Sequence, residues 1–245
     1  MDRIAFNPKG DAVIFLGAAH KYSHDGYNLD SVTSTINSFF PDFDRDKISK
    51  FVAARSMQTP QEILAKWELA KTTACDFGTL VHKYAEYRLT NRKPPTPTND
   101  AEYIAFNAVR DFLESLLKEY EVVDVEKIVF SPKLKIAGTI DLIVRNKSSG
   151  ALMILDWKTN KSIDKKSKSS EKAFAPIDYM PNCNYSKYLL QLNLYRKILQ
   201  DEKYYDAEVE GLIIVHIVDG KSVLHIMPIM EETVNLMLDA RNTRS

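Results

Sequence analysis

The chain has 245 residues, 44% of them hydrophobic and 27% charged, and its 33 basic residues balance its 33 acidic ones. We expect a soluble intracellular protein without membrane contacts, because no apolar run approaches the roughly 18 residues of a membrane span and the first residues lack a secretory apolar core. The two cysteines, Cys75 and Cys183, lie far apart and have no CxxC spacing, which argues against a disulfide framework, a structural zinc site or an iron–sulfur cluster.

Residues 1–98 are predicted to form a mostly helical N-terminal part. Short helical segments are expected between residues 31 and 54. The run Thr59-Pro60-Gln61-Glu62 combines an N-cap, a proline in the first turn and a glutamate at the third position, which together predict a helix start. Apolar residues at helical spacing predict a further helix over about 77–89, and the proline-rich stretch 91–99 is expected to be a loop.

Residues 99–245 are predicted to form an α/β core. The predicted elements, in chain order, are a helix from Asp100, strands at 121–130, 134–144 and 151–157, a helix at 185–200, strands at 209–218 and 222–227, and a helix from Met230. The short polar loop 146–150 predicts a hairpin between the second and third strands. This order predicts a mixed central β-sheet flanked by helices, and we expect the two parts to form one compact domain.

Two acids and a lysine interrupt the apolar strands of the predicted hairpin. Asp141 lies within the run 136–144, and Asp156 and Lys158 lie within the run 152–159. Charged groups are costly to bury unless they are paired, hydrogen-bonded or bound to a metal. Side chains two residues apart on a strand share one face, so Asp156 and Lys158 lie together, and the hairpin brings Asp141 close to them.

Carboxylates beside an ammonium group favour metal-assisted hydrolysis of a phosphodiester. Hard divalent cations such as Mg²⁺ or Mn²⁺ prefer carboxylate oxygens, and they can acidify a water molecule and neutralise phosphate charge. Lys158 would orient that water or help to deprotonate it, and would offset negative charge on the phosphate.

Four short motifs carry a resemblance to a known family. They are Gly78-Thr79-Leu80-Val81-His82, Gly138-Thr139-Ile140-Asp141, Asp156-Trp157-Lys158-Thr159 and Gln191-Leu192-Asn193-Leu194-Tyr195. In this order they resemble the PD-(D/E)xK nuclease superfamily, and within it the RecB-like exonuclease branch. The nearest comparisons are the exonuclease of mitochondrial genome maintenance and exonucleases of phages and viruses. The resemblance implies a restriction-endonuclease-like core, in agreement with the predicted order of elements.

The resemblance also implies roles for individual residues. The implied metal ligands are His82, Asp141, Asp156 and the backbone carbonyl of Trp157. Lys158 would be catalytic together with the two aspartates, and Mg²⁺ or Mn²⁺ would be the cofactor. Glu126 lies on the preceding predicted strand, where it could bind metal through water or hold Lys158.

Each of these residues also has a simpler interpretation. His82 could be a core histidine bonded to a backbone carbonyl, and Glu126 could pair with a lysine across the sheet. Gln191 and Tyr195 share one helical face, where they could contact the substrate or form a packing stripe.

Lysines are concentrated directly after the second acidic strand. Residues 158–172 include six lysines against two acidic residues. Because the whole chain is neutral, a nucleic acid would have to be bound by such a local patch. Lys161, Lys165, Lys166 and Lys168 could therefore grip phosphates, although a solvated flexible loop is the alternative.

The resemblance implies a DNA nuclease, most specifically an exonuclease that acts on DNA ends or single strands in replication, repair or recombination. Replication or recombination proteins would then be possible partners. One alternative is an RNA endonuclease, although such enzymes usually have Glu in place of Asp156. Another is a nuclease-like DNA-binding module that is active only within a partner complex.

Overall fold

The computed structural model describes residues 2–17, 19, 21–167 and 169–244, so Lys168 of the lysine-rich segment lies outside the described residues. The strands are β1 (Arg3–Phe6), β2 (Ala12–Leu16), β3 (Lys21–His24), β4 (Tyr27–Ser31), β5 (Tyr120–Ser131), β6 (Ile136–Asn146), β7 (Leu152–Lys158), β8 (Val209–Val218) and β9 (Lys221–Ile226). The helices are α1 (Val32–Asn37), α2 (Arg45–Ala53), α3 (Pro60–Leu89), α4 (Asp100–Glu119), α5 (Asn184–Asp201) and α6 (Glu231–Arg244). None of these helices contains an apolar run long enough to cross a membrane.

The described strands form one mixed sheet in which β6 is the branching strand. Along one edge β6 pairs with β5 over nearly its whole length. Along the other edge it has two partners, because β4 pairs in parallel at Ile136 and Ala137 and β7 pairs antiparallel from Leu142 to Arg145. Residues 138–141 lie between these two pairings. The predicted mixed sheet flanked by helices is therefore confirmed, and β4 joins the N-terminal part to the same sheet.

The prediction of a mostly helical N-terminal part is wrong for residues 3–31, which form the antiparallel strands β1 to β4. Asp25 and Gly26 have φ values of 47° and 82° and join β3 to β4, as expected for a two-residue hairpin turn with both residues in the left-handed region. These strands are only four or five residues long, so their alternation of buried and exposed residues is too short to be distinctive.

Helices do follow from Val32 to Leu89, but α3 is one continuous helix where the sequence predicted two. Its start at Thr59 is a capping box, since the Thr59 N–H donates to the Glu62 carboxylate at 2.7 Å and the Glu62 N–H donates to the Thr59 hydroxyl at 3.2 Å. Residues 68–76 are all exposed. Helix α3 therefore projects into solvent over its middle, whereas Ile63 is buried near its start and Val81 is fully buried near its end.

Apolar layers cover both faces of the sheet. Ile143 and its cross-strand partner Ile154 pack with α1 and α5, whereas Leu142 and its partner Leu155 pack with α3 and α4. This arrangement follows from the alternation of side chains along paired strands. Helix α5 is therefore fixed over one face of the hairpin and the end of α3 over the other.

Gly138 marks a tight contact between β6 and α5. A Cβ atom at Gly138 would lie 2.7 Å from Cε1 and 2.9 Å from the hydroxyl oxygen of Tyr195, and Tyr195 is only 4% exposed. The ring cannot move aside without disturbing the packed layer between the sheet and α5. Gly138 is thus the residue that lets Tyr195 lie against the strand.

We expect Gly138→Ala to lower the free energy of unfolding by about 1–3 kcal/mol, the usual cost of overpacking. Urea unfolding measures this difference. The same substitution should cost less in a Tyr195→Leu background, because the clashing ring is gone. Equal losses in the two backgrounds would show that the Tyr195 ring is not the obstacle.

Candidate active site

Asp141 lies on β6 between the residues that pair with β4 and those that pair with β7. Its Oδ2 accepts a hydrogen bond of 2.8 Å from the backbone N–H of Trp157, and the residue is 9% exposed. The hairpin therefore brings Asp141 to the neighbouring end of β7, as the sequence predicts. Burial opposes ionisation of this carboxyl, but His82, Lys158 and the Trp157 N–H together outweigh burial and hold the pKa of Asp141 below its usual value.

Asp156 is held from two sides. Its Oδ2 forms an ion pair with the Lys158 ammonium, and its Oδ1 accepts a hydrogen bond of 3.0 Å from the Gln191 amide on α5. Burial raises the pKa of Asp156, an effect that Lys158 offsets only in part because Asp141 is close. The predicted common face of Asp156 and Lys158 is present, and Gln191 fixes the orientation of the carboxylate.

Lys158 is a partly buried cation. Its Nζ also lies 4.7 Å from the centre of the Tyr188 ring, whose negative face attracts an ammonium group. Burial alone would lower the pKa of Lys158, but the carboxylates of Asp156 and Asp141 outweigh burial and raise it. Lys158 is therefore charged at neutral pH in this arrangement.

His82 comes to the end of β7 from α3. Its Nε2 donates to the Trp157 carbonyl at 3.0 Å, and its Nδ1 lies 3.4 Å from Asp141 Oδ2. Both ring nitrogens face acceptors, which matches the doubly protonated imidazolium. Burial would lower the pKa of His82, but the charge of Asp141 and its contact with the ring raise it to about 9.

Glu126 on β5 completes a group of possible ligands. It lies in register with Asp141, because its neighbours Val125 and Lys127 pair with Leu142 and Ile140. Its φ of 50° is unusual for a non-glycine residue within a strand. Burial and the adjacent Asp141 raise the pKa of Glu126 to about 7.

One ligand atom from each of His82, Glu126 and Asp141 lies within 4.8 Å of the others. This partly buried set of two carboxylates and one imidazole provides the oxygen and nitrogen ligands that Mg²⁺ or Mn²⁺ accepts. The residues present therefore fit a divalent metal centre. Asp156 and the Trp157 carbonyl adjoin this cluster but are bonded to Lys158 and His82, respectively.

The predicted substrate-binding residues divide into two groups. Gln191 and Tyr195 lie within the site, the first bonded to Asp156 and the second packed against Gly138. Lys161, Lys165 and Lys166 lie outside the cluster, in the segment between β7 and α5. The Lys165 Nζ lies 5.0 Å from the centre of the Tyr185 ring. Lys166 lines a groove of about 580 Å³ between this segment and the start of α2.

Sequence reasoning missed the contribution of the N-terminal strands to the site. The Tyr22 hydroxyl of β3 lies 3.0 Å from the Thr139 hydroxyl, next to Asp141 on β6. The turn signal Asp25-Gly26 could have revealed a hairpin at this place. Nothing local in the sequence indicates that the hairpin packs beside β6.

Comparisons with known proteins agree with this geometry. The family model of the PD-(D/E)XK nuclease superfamily matches residues 91–240, which is more than half of the chain. The chain belongs to the PD-(D/E)XK nuclease superfamily. Membership indicates a metal-dependent nuclease, a hydrolase whose substrate is a nucleic acid, and the matched residues include Glu126, Asp141, Asp156 and Lys158.

Other comparisons add little to the family assignment. A comparison with curated proteins finds no match. The crystal structure of a protein named SSO0001 shares 18% of residues with this PD-(D/E)XK chain, covers 68% of this chain and 74% of the other, and gives a TM-score of 0.29. A similarity of this degree carries no conclusion about function.

The raised pKa of His82 predicts a pH-dependent contribution to stability. The folded pKa of about 9 lies above the ordinary value of 6.5, so the contribution is complete below about pH 6.5 and is lost as pH rises through about 9. We expect His82→Gln to lower the free energy of unfolding by up to about 2 kcal/mol near pH 6 and by much less near pH 10.

Urea unfolding over this pH range, with a chelator present, measures the effect. Asp141→Asn removes the carboxylate that raises the pKa of His82, so His82→Gln should show little pH dependence in that background. A His82→Gln difference that stays constant from pH 6 to pH 10 in the wild-type background would contradict the proposed His82–Asp141 ion pair.

Proposed function

We propose that this chain is a Mg²⁺- or Mn²⁺-dependent deoxyribonuclease of the RecB-like branch, and that it acts as an exonuclease on DNA ends or single strands during replication, repair or recombination. The observation that carries the proposal is the cluster of His82, Glu126 and Asp141 beside the Asp156–Lys158 pair. The position of His82 on an upstream helix and of Gln191 and Tyr195 on a downstream helix supports the RecB-like assignment.

His82, Glu126, Asp141, Asp156 and the Trp157 carbonyl would hold the metal. When bound, such a cation lowers the pKa of a water molecule and offsets the negative charge of the phosphate. His82 would have to release its Nδ1 proton to become a ligand through that nitrogen, and its Nε2–H could keep the hydrogen bond to the Trp157 carbonyl. Gln191 keeps the Asp156 carboxylate directed at the end of β7 during this change.

Lys158 acts as a fixed positive charge. Its raised pKa keeps it protonated near neutral pH, so it is poorly suited to accept a proton from water. An ammonium group at this place donates hydrogen bonds that orient the attacking water and stabilises charge that develops on the scissile phosphate. Of the two roles predicted for Lys158, we therefore propose orientation of the water.

A continuous path of chain around the site supports the preference for DNA ends. The segment that leaves Lys158 is bonded to the residues before α2, since the Phe174 N–H donates to the Phe39 carbonyl at 2.7 Å and the Asn182 amide donates to the Pro41 carbonyl at 3.2 Å. From there α2 and α3 lead back to His82, which is bonded to Trp157 on β7.

This path is therefore closed by hydrogen bonds at both ends. The exposed middle of α3 and the lysines after β7 belong to it, as does the groove between that segment and α2. We propose that the substrate strand threads through this path, which would require a free end and exclude a closed circle. Lys161, Lys165 and Lys166 would contact phosphates of the entering strand.

Substitution of the acidic pair and the lysine tests the chemistry. We expect Asp141→Asn, Asp156→Asn and Lys158→Met to slow cleavage of single-stranded DNA by at least about 10²–10³-fold, because each removes a charge from the reacting centre. Asp206→Asn is the matched control, since Asp206 is exposed and lies beyond α5. Initial rates with Mg²⁺, with Mn²⁺ and with a chelator measure the effect, and wild-type rates in any of the three variants would contradict the assigned roles.

Linear and circular substrates test the requirement for an end. We expect end-labelled linear DNA to be degraded while circular DNA of the same sequence persists, for single strands and duplexes alike. Cutting of circles would identify an endonuclease instead. An RNA substrate of the same sequence tests whether the enzyme prefers deoxyribose to ribose. If the wild type binds DNA but does not cleave it, the chain is instead a DNA-binding module that needs a partner.

A further inference from the structure

A pocket of about 370 Å³ adjoins the metal-ligand cluster on the side of the N-terminal strands. It lies beside the part of β6 that is flanked by the β4 and β7 pairings, and its lining includes Arg3, Phe15, Tyr22, Glu126, Thr139 and Tyr195. Its volume is at the lower end of the range for small-molecule sites. Because Glu126 belongs both to the pocket and to the cluster, a group in the pocket lies next to the reacting centre.

The wall of the pocket suits a sugar or base. Phe15 and Tyr22 place their ring centres 4.9 Å apart, and both residues are only 6% exposed. The Tyr22 hydroxyl is 3.0 Å from the Thr139 hydroxyl, so two hydroxyl groups stand beside the aromatic surface. Because both rings are largely buried, they offer a small apolar surface to a sugar or base, and the hydroxyl groups can bond to sugars or phosphates.

Arg3 supplies the positive charge of the pocket. Its guanidinium lies 5.2 Å from the centre of the Phe15 ring, and one of its nitrogens donates to the Glu126 carbonyl at 3.5 Å. This contact is long and uses only one of the five N–H donors of the group. Arg3 is exposed, so its remaining donors are accessible to an anion.

We propose that this pocket holds the nucleotide next to the scissile phosphodiester bond and that Arg3 binds the phosphate that flanks it. The inference rests on the proposed nuclease function. A guanidinium group can bind two phosphate oxygens with parallel hydrogen bonds, and the Phe15 and Tyr22 side of the pocket would contact the nucleoside. Arg3, Phe15 and Tyr22 lie before the family-matched residues 91–240, so the substrate site extends beyond the region common to the superfamily.

A structural role for Arg3 makes a different prediction. If Arg3 only held the strained backbone at Glu126, its removal would shift Glu126 and change the concentration of metal needed for activity. If Arg3 binds a phosphate, its removal weakens substrate binding and leaves the metal requirement unchanged. The two roles are therefore separated by comparing the KM for DNA with the activating concentration of Mn²⁺.

The test uses full-length Arg3→Gln and Arg3→Lys, with Arg110→Gln as the matched control because Arg110 is a half-exposed arginine paired with Asp111 on α4. With a single-stranded oligonucleotide we expect Arg3→Gln to raise KM by about tenfold, the size of a lost charge-assisted contact, with little change in kcat. The slope of log KM against the logarithm of the salt concentration should fall by the amount that one phosphate contact contributes. Arg3→Lys should retain part of the affinity, and Arg110→Gln should match the wild type.

An unchanged KM and salt slope in Arg3→Gln, or a changed Mn²⁺ requirement at unchanged KM, would overturn the inference while leaving the nuclease function intact. If the wild type cleaves nothing, the proposed function fails, and binding of the same oligonucleotide then decides the role of the pocket. Binding that weakens in Arg3→Gln but not in Arg110→Gln supports it, and equal binding by all variants rejects it.

Discussion

The structure depends on partners that offset the negative charges of two buried carboxylates lying close together. Asp141 and Asp156 are 9% and 3% exposed, and their mutual repulsion in a low-dielectric interior would be strongly unfavourable without partners. Each carboxylate has its own cation and its own N–H donor: Asp141 has His82 and the Trp157 amide, and Asp156 has Lys158 and Gln191. Because these partners come from α3, β7 and α5, the charged pair is satisfied only when all of these elements are in place.

The branching of the sheet at β6 explains how a pocket comes to lie beside this charged pair. A strand paired along both edges has the side chains of both neighbouring strands next to its own on each face of the sheet. Between Ala137 and Leu142 the edge of β6 changes partner from β4 to β7. This interval contains Gly138, Thr139 and Asp141, which reach the metal-ligand cluster and the adjoining pocket. Strand β6 is therefore paired over nearly its whole length with β5, whereas, among the described residues, its other edge is unpaired between the β4 and β7 pairings.

The local sequence pattern was sufficient to predict the elements of the α/β core. It was not sufficient to predict the N-terminal strands that pair with that core. The predicted strand 209–218 has the observed bounds of β8, and the spacing of Asp156 and Lys158 gave their common face, since both depend on neighbours in sequence. The docking of β4 on β6 depends on only two residue pairs more than 100 positions apart, which no periodicity encodes. The two helices predicted before and after residues 68–76 are one continuous α3, because a helix exposed on all sides does not need the apolar stripe by which helices are recognised.

The N-terminal part contributes to both sides of the proposed reaction centre. On one side α2 and α3 complete the closed path with the lysine-containing segment, through the contacts of Phe39 and Pro41. On the other side β1 to β3 bring Arg3 and Tyr22 to the pocket beside Glu126. The acids, the lysine and the helix with Gln191 all lie within the family-matched residues 91–240. The acids and the lysine of the proposed chemistry thus lie in the core, whereas the proposed positioning of the strand also draws on residues before it, and His82 is the one proposed metal ligand that comes from that part.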